Sequence, residues 1–118
     1  MRGFPPRLWK AKPKLQNKEY SDIQTTERTP LFELGQLVAT PGALAALEKS
    51  GQSPKDFLSR HVTGDWGEIP EEDRKENQFS LEKGFRLMSS YRTTANDVVW
   101  VITESSRSHT TLLLPSEY

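Results

Sequence analysis

The chain has no cysteine. Disulfide staples and cysteine-held metal sites are thereby excluded. It has two histidines, His61 and His109, too few to build a zinc site without carboxylate help. No apolar run approaches the roughly 20 residues that a membrane-spanning helix needs. Residues 1–6 carry charge but no apolar stretch and do not read as a secretory signal, so a cytoplasmic protein with no membrane partner is expected. A Walker loop, a dinucleotide glycine fingerprint, a nucleophile elbow and an HExxH pair are all missing, and no cofactor is expected.

What is there is unevenly distributed. Of 118 residues, 34% are hydrophobic and 27% charged, polar for a folded protein but sufficient for one domain. The net charge is zero. Up to residue 30, however, the cations Arg2, Arg7, Lys10, Lys12, Lys14, Lys18 and Arg28 face only Glu19, Asp22 and Glu27, a balance of +4 that leaves −4 for the remainder. Pro5, Pro6, Pro13 and Pro30 fall in the same stretch, which shows no sustained period of 2 or 3.6. Residues 1–30 therefore read as a basic, flexible arm, and 31–118 as a single domain. Phe4, Arg7, Trp9, Lys10, Lys12, Lys14 and Lys18 are its candidate binding residues, suited to an anionic partner such as nucleic acid or an acidic protein surface. Equally, such a tail needs charge for solubility alone.

Beyond Leu31 the pattern becomes regular. Residues 34–40 read as a short strand. Thr40-Pro41 then opens a helix with a capping hydroxyl and a proline at its first position, and Gly51 ends it. Ser53-Pro54-Lys55-Asp56 starts a second helix, which puts Phe57 and His61 on one face. A third starts near Pro70, with Glu71, Glu72 and Asp73 at the positive end of its dipole and Phe79 expected to face inward. Residues 85–92 alternate, 98–103 are apolar on both faces, and 110–114 follow a short turn. The expected fold is α+β: two or three short helices on a C-terminal antiparallel sheet of three or four strands.

Two constellations are candidates for chemistry. Residues 60–67, RHVTGDWG, place a histidine, a carboxylate and an indole between glycines at a helix exit. His61 is a candidate general acid or base, with Asp65 to orient it and Trp66 as a binding surface. The competing reading has glycine turns, an Asp65 turn, Trp66 in the core and His61 at its boundary. The second constellation is Arg86, Ser90 and Arg92 with Thr103, Glu104, Arg107, His109, Thr110 and Thr111, a set suited to holding phosphate or equally a solvated sheet face. The acidic cluster of Glu68, Glu71, Glu72 and Asp73 reads as a dipole complement, and no metal site is expected.

With these residues in view, the body resembles a family of short open reading frames carried on bacterial plasmids, integrative elements and phages. The stretches that carry the resemblance are 34–43, 60–67, 100–104 and 110–118. The resemblance implies a mobile-element cargo protein in a bacterial cytoplasm, a class that includes inhibitors of host defence, toxins, antitoxins and DNA-handling factors. Two functions are consistent with the sequence. One is a binding protein that docks on a protein or nucleoprotein target. The other is a metal-independent, barnase-like ribonuclease using His61, Asp65, Arg86, Arg107 and His109, which requires His61 and an arginine or His109 to share a cleft.

Overall fold

The computed structural model describes residues 29–118, so the expectations placed on Phe4, Arg7, Trp9, Lys10, Lys12, Lys14 and Lys18 lie outside the described residues. Strand β1 (Gln36–Ala39) leads into helix α1 (Pro41–Ser50), followed by α2 (Pro54–Val62) and α3 (Glu71–Lys83). Strands β2 (Leu87–Arg92), β3 (Val98–Thr103) and β4 (His109–Leu113) come next, and a 3-10 turn (Pro115–Glu117) closes the order. The helix starts follow their capping chemistry. The Thr40 hydroxyl accepts from the Ala43 N–H at 3.2 Å, and the Asp56 carboxylate accepts from the Ser53 N–H at 2.9 Å.

The strands form one sheet in the order β1-β4-β3-β2. β2, β3 and β4 make the expected antiparallel meander, whereas β1 joins the edge of β4 in parallel. The sheet is therefore mixed. The helical stretch between β1 and β2 acts as the crossover that a parallel neighbour requires. One face carries the core: Tyr91, Val99, Val101 and Leu112 pack on Ala43, Ala46 and Leu47 of α1 and on Phe57 and Leu58 of α2. On the other face, Trp100 meets the ring of Tyr118 edge-on at 5.7 Å. β3 is thus covered on both sides, as its apolar run requires.

Helix α3 departs from expectation. Phe79 is 46% exposed and packs on Phe85 at the surface, with ring centroids 5.7 Å apart. The buried face belongs to Asn77 and Ser80. The Asn77 side chain accepts from the Met88 N–H at 3.2 Å and donates to the Met88 carbonyl at 2.8 Å, as a neighbouring strand would. Two residues further on, at about 100° per residue, Phe79 is carried to the opposite side. Hydrogen bonding to a sheet edge, not an apolar stripe, orients this helix.

The same edge of β2 is covered again two residues along. Glu68 donates its N–H to the Ser90 carbonyl at 2.7 Å, and Ser90 donates to the Trp66 carbonyl at 3.1 Å. Between them Gly67 sits at φ +77°, where an added Cβ would lie 2.1 Å from the Ser90 carbonyl oxygen. Gly67→Ala is expected to cost about 2 kcal/mol through combined strain and clash, measured by urea denaturation. Faster amide exchange at Ser90 and Glu68 should accompany the loss.

The C-terminal turn is tied to the start of α1. The Glu117 carboxylate accepts from the Thr40 hydroxyl, from the Gly42 N–H at 3.0 Å and from the Leu114 N–H at 2.9 Å. The Thr40 hydroxyl bond, with help from the two amides, holds this carboxyl below its ordinary pKa. Glu117→Ala is expected to speed amide exchange at Gly42 and Leu114 while leaving Val101 unchanged. Equal exchange at all three would show that the latch is not formed.

Candidate functional site

His61 is the centre of a buried polar cluster that joins three strands. Its place follows from the spacing that puts Phe57 and His61 on one face of α2, the face that meets the sheet. The ring has 0% exposure. Nδ1 lies 2.6 Å from the Ser89 hydroxyl of β2, and Nε2 lies 2.9 Å from the Thr103 hydroxyl of β3. Thr103 is in turn 2.7 Å from the Thr110 hydroxyl of β4, which donates to the Leu34 carbonyl at 2.7 Å.

The direction of every proton in this chain follows from its last link. Thr110 gives its proton to Leu34, so it must accept from Thr103. Thr103 has then used its own proton and must accept from His61 Nε2–H. The neutral ring is left with an acceptor at Nδ1, to which the Ser89 hydroxyl donates. Burial, aided by the charge of Arg107, pushes the imidazole pKa down to about 3. The neutral ring is the form that fits.

Aromatic rings close the cluster. Phe32 meets the His61 ring edge-on at 5.2 Å, Trp66 does so at 5.7 Å, and Phe32 and Trp66 stack at 6.3 Å. Trp66, a candidate binding residue by sequence, is only 3% exposed and packs inward. Asp65 does not orient His61, because hydroxyls occupy both ring nitrogens. Its carboxylate pairs with Arg60 at 2.8 Å and accepts from the Gly67 N–H at 3.3 Å, while its carbonyl accepts from the Tyr91 hydroxyl at 2.6 Å.

The arginines disperse. Arg107, at φ +59°, clamps carbonyls: its guanidinium donates to Phe85 at 2.7 Å, Glu104 at 3.1 Å and Ser80 at 3.3 Å, and lies 5.7 Å from the Phe32 ring centre. Phe32 therefore has both Arg107 and His61 as neighbours. Arg86 donates to the Tyr118 hydroxyl at 2.9 Å and lies 3.8 Å from Glu104. Arg92 pairs with Glu68 at 3.3 Å, and His109 contacts the Ser108 hydroxyl at 3.1 Å. His61 is enclosed, and Arg86, Arg107 and His109 each bond groups other than its ring nitrogens. Thr103 and Thr110, grouped by sequence with a phosphate-holding face, turn into the core with 0% exposure.

A surface cavity of about 270 Å³ is lined by Gly64, Trp66, Glu71, Arg74, Lys75 and Gln78. None of the candidate catalytic residues lines it. Among the described residues, no group of three or more His, Asp or Glu is placed to hold a metal ion, and no helix is long and apolar enough to cross a membrane. Sequence reasoning missed the hydroxyls Ser89 and Thr103 as partners of His61, and Thr110 as the next link. The available signal was their alternation with Leu87, Tyr91, Val101 and Leu112, which places small polar residues on the core face. No protein-family model, curated protein or solved structure matches the chain.

Proposed function

We propose that this chain is a small cytoplasmic binding protein, carried on a bacterial mobile element, that docks on a protein or nucleoprotein target such as a host-defence nuclease complex. The observation that supports this reading is the position of His61. The residue best suited to acid–base chemistry is enclosed, neutral and bonded at both ring nitrogens, and the arginines that a ribonuclease would turn on phosphate bond carbonyls, a tyrosine and carboxylates. A general acid or base must reach the proton it transfers, and here it does not meet solvent. On this reading Arg7, Lys10, Lys12, Lys14 and Lys18 supply the contact to an anionic part of the target.

Affinity capture by the full chain from bacterial lysate, followed by size exclusion with and without nuclease treatment, tests the proposal. A stoichiometric complex is expected, weakened by salt if the basic residues contribute. Nuclease sensitivity separates a nucleoprotein target from a protein one. Absence of a co-migrating partner, with cleavage of labelled RNA in EDTA that follows the protein peak, overturns the reading in favour of the ribonuclease.

A further inference from the structure

The two edges of the sheet are treated differently. The β2 edge is covered by Asn77 and by the 66–68 segment. The β1 edge has no partner among the described residues. Gln36 and Thr40 direct their N–H groups to Ser108 and Leu112 of the β4 side, at 2.9 and 3.0 Å. Alternation along the strand then turns the N–H and C=O groups of Leu37 and Ala39 outward, in plane with the sheet. No charge, proline or bulge protects Gln36-Leu37-Val38-Ala39, the devices by which natural edges avoid pairing. Leu37 is 53% and Val38 42% exposed, and Leu44 of α1 is exposed nearby in sequence.

We propose that β1 is a dimerisation edge whose occupant is β1 of a second copy, paired antiparallel about a two-fold axis through Val38. The pattern is self-complementary. Leu37 of one copy and Ala39 of the other form a hydrogen-bonded pair, exchanging both N–H···O=C bonds, and the axis repeats it to give four bonds. Between them the two Val38 residues meet at the closely spaced, non-hydrogen-bonded position, on the same sheet face, so each covers the other. Neighbouring registers are closed off at both ends. Gly35 turns the chain away at φ +68°, and Pro41 has no N–H to offer. The product is a continuous eight-stranded sheet in the order β2-β3-β4-β1-β1-β4-β3-β2.

This inference is independent of the identity of the docking target. A contact confined to one pair of four-residue strands belongs to the weak class, so a monomer–dimer equilibrium with Kd between about 1 µM and 1 mM is expected. Sedimentation equilibrium of the full chain over a concentration series crossing that range provides the test. Leu37→Lys and Val38→Lys, which place charge on opposite faces of the same edge, are each expected to weaken self-association at least tenfold. Phe79→Lys, at an exposed site elsewhere, should leave it unchanged. Circular dichroism of each variant checks that the fold is kept. Amide exchange slowed at Leu37 and Ala39 with rising concentration would place the contact on this edge. A monomer at all concentrations, as when the edge is covered from within the chain or by a different protein, overturns the proposal. So does a dimer that both edge lysines leave intact.

Discussion

Replacing His61 by alanine is expected to lower the unfolding free energy by about 3–5 kcal/mol, the range for removing a large buried ring. Two effects combine. Loss of the ring leaves a cavity between Phe32, Trp66 and the sheet, and it strands the Ser89 and Thr103 hydroxyls without their partner. Domains of this size have total stabilities of about 5–15 kcal/mol, so the variant should melt at least about 10 °C lower. The origin of the loss can be separated. His61→Phe combined with Ser89→Ala and Thr103→Val removes the ring's donors and acceptors together and should recover much of the stability, since Thr110 still donates to the Leu34 carbonyl. Urea denaturation of the single and triple variants measures both quantities. A single-variant loss below about 1 kcal/mol would mean that the ring is not enclosed as described.

Acidification should destabilise the protein through the same residue. In the unfolded chain His61 takes up its proton near pH 6.5, while in the fold burial holds the ring neutral down to about pH 3. Above pH 6.5 neither state binds the proton, and the contribution of the neutral ring is fully present. Below it the unfolded state binds one proton more, so stability falls by about 1.4 kcal/mol per pH unit until the folded pKa is reached, nearly 5 kcal/mol in all. Carboxylates add their own terms at lower pH, which makes pH 5 to 6.5 the diagnostic window. A loss of about 2 kcal/mol between pH 7 and pH 5 is expected, and the triple variant should lack it. Ring nitrogen shifts by NMR should show protonated Nε2 and bare Nδ1 throughout. An imidazolium signal at pH 5 from the folded protein would contradict the assignment.

Much of the fold was legible because local chemistry and global packing agree. Thr40-Pro41 and Ser53-Pro54 each carried a capping signal strong enough to fix a helix start, and the apolar run 98–103 marked a covered strand. Where the expectations failed, long-range hydrogen bonds decided. Nothing local says that Asn77 will bond an edge strand, so Phe79 appeared to be the inward residue. Nothing local says that β1 will pair with β4, so the sheet appeared antiparallel throughout. His61 was readable as a residue of consequence, but not as a buried one. Its burial depends on Ser89, Thr103 and Thr110, three small hydroxyls from three strands that only the assembled sheet brings together.

The parallel pairing of β1 with β4 also sets an order for folding. Gln36 meets His109 across most of the domain, whereas β2, β3 and β4 are joined by short turns. Closing the longer loop carries the larger entropic cost, so the hairpins should form first and β1 should dock onto an existing edge. Substitutions within β1 should then accelerate unfolding while leaving the refolding rate nearly unchanged, and substitutions in β3 should slow refolding. The first strand among the described residues becomes the last to be added.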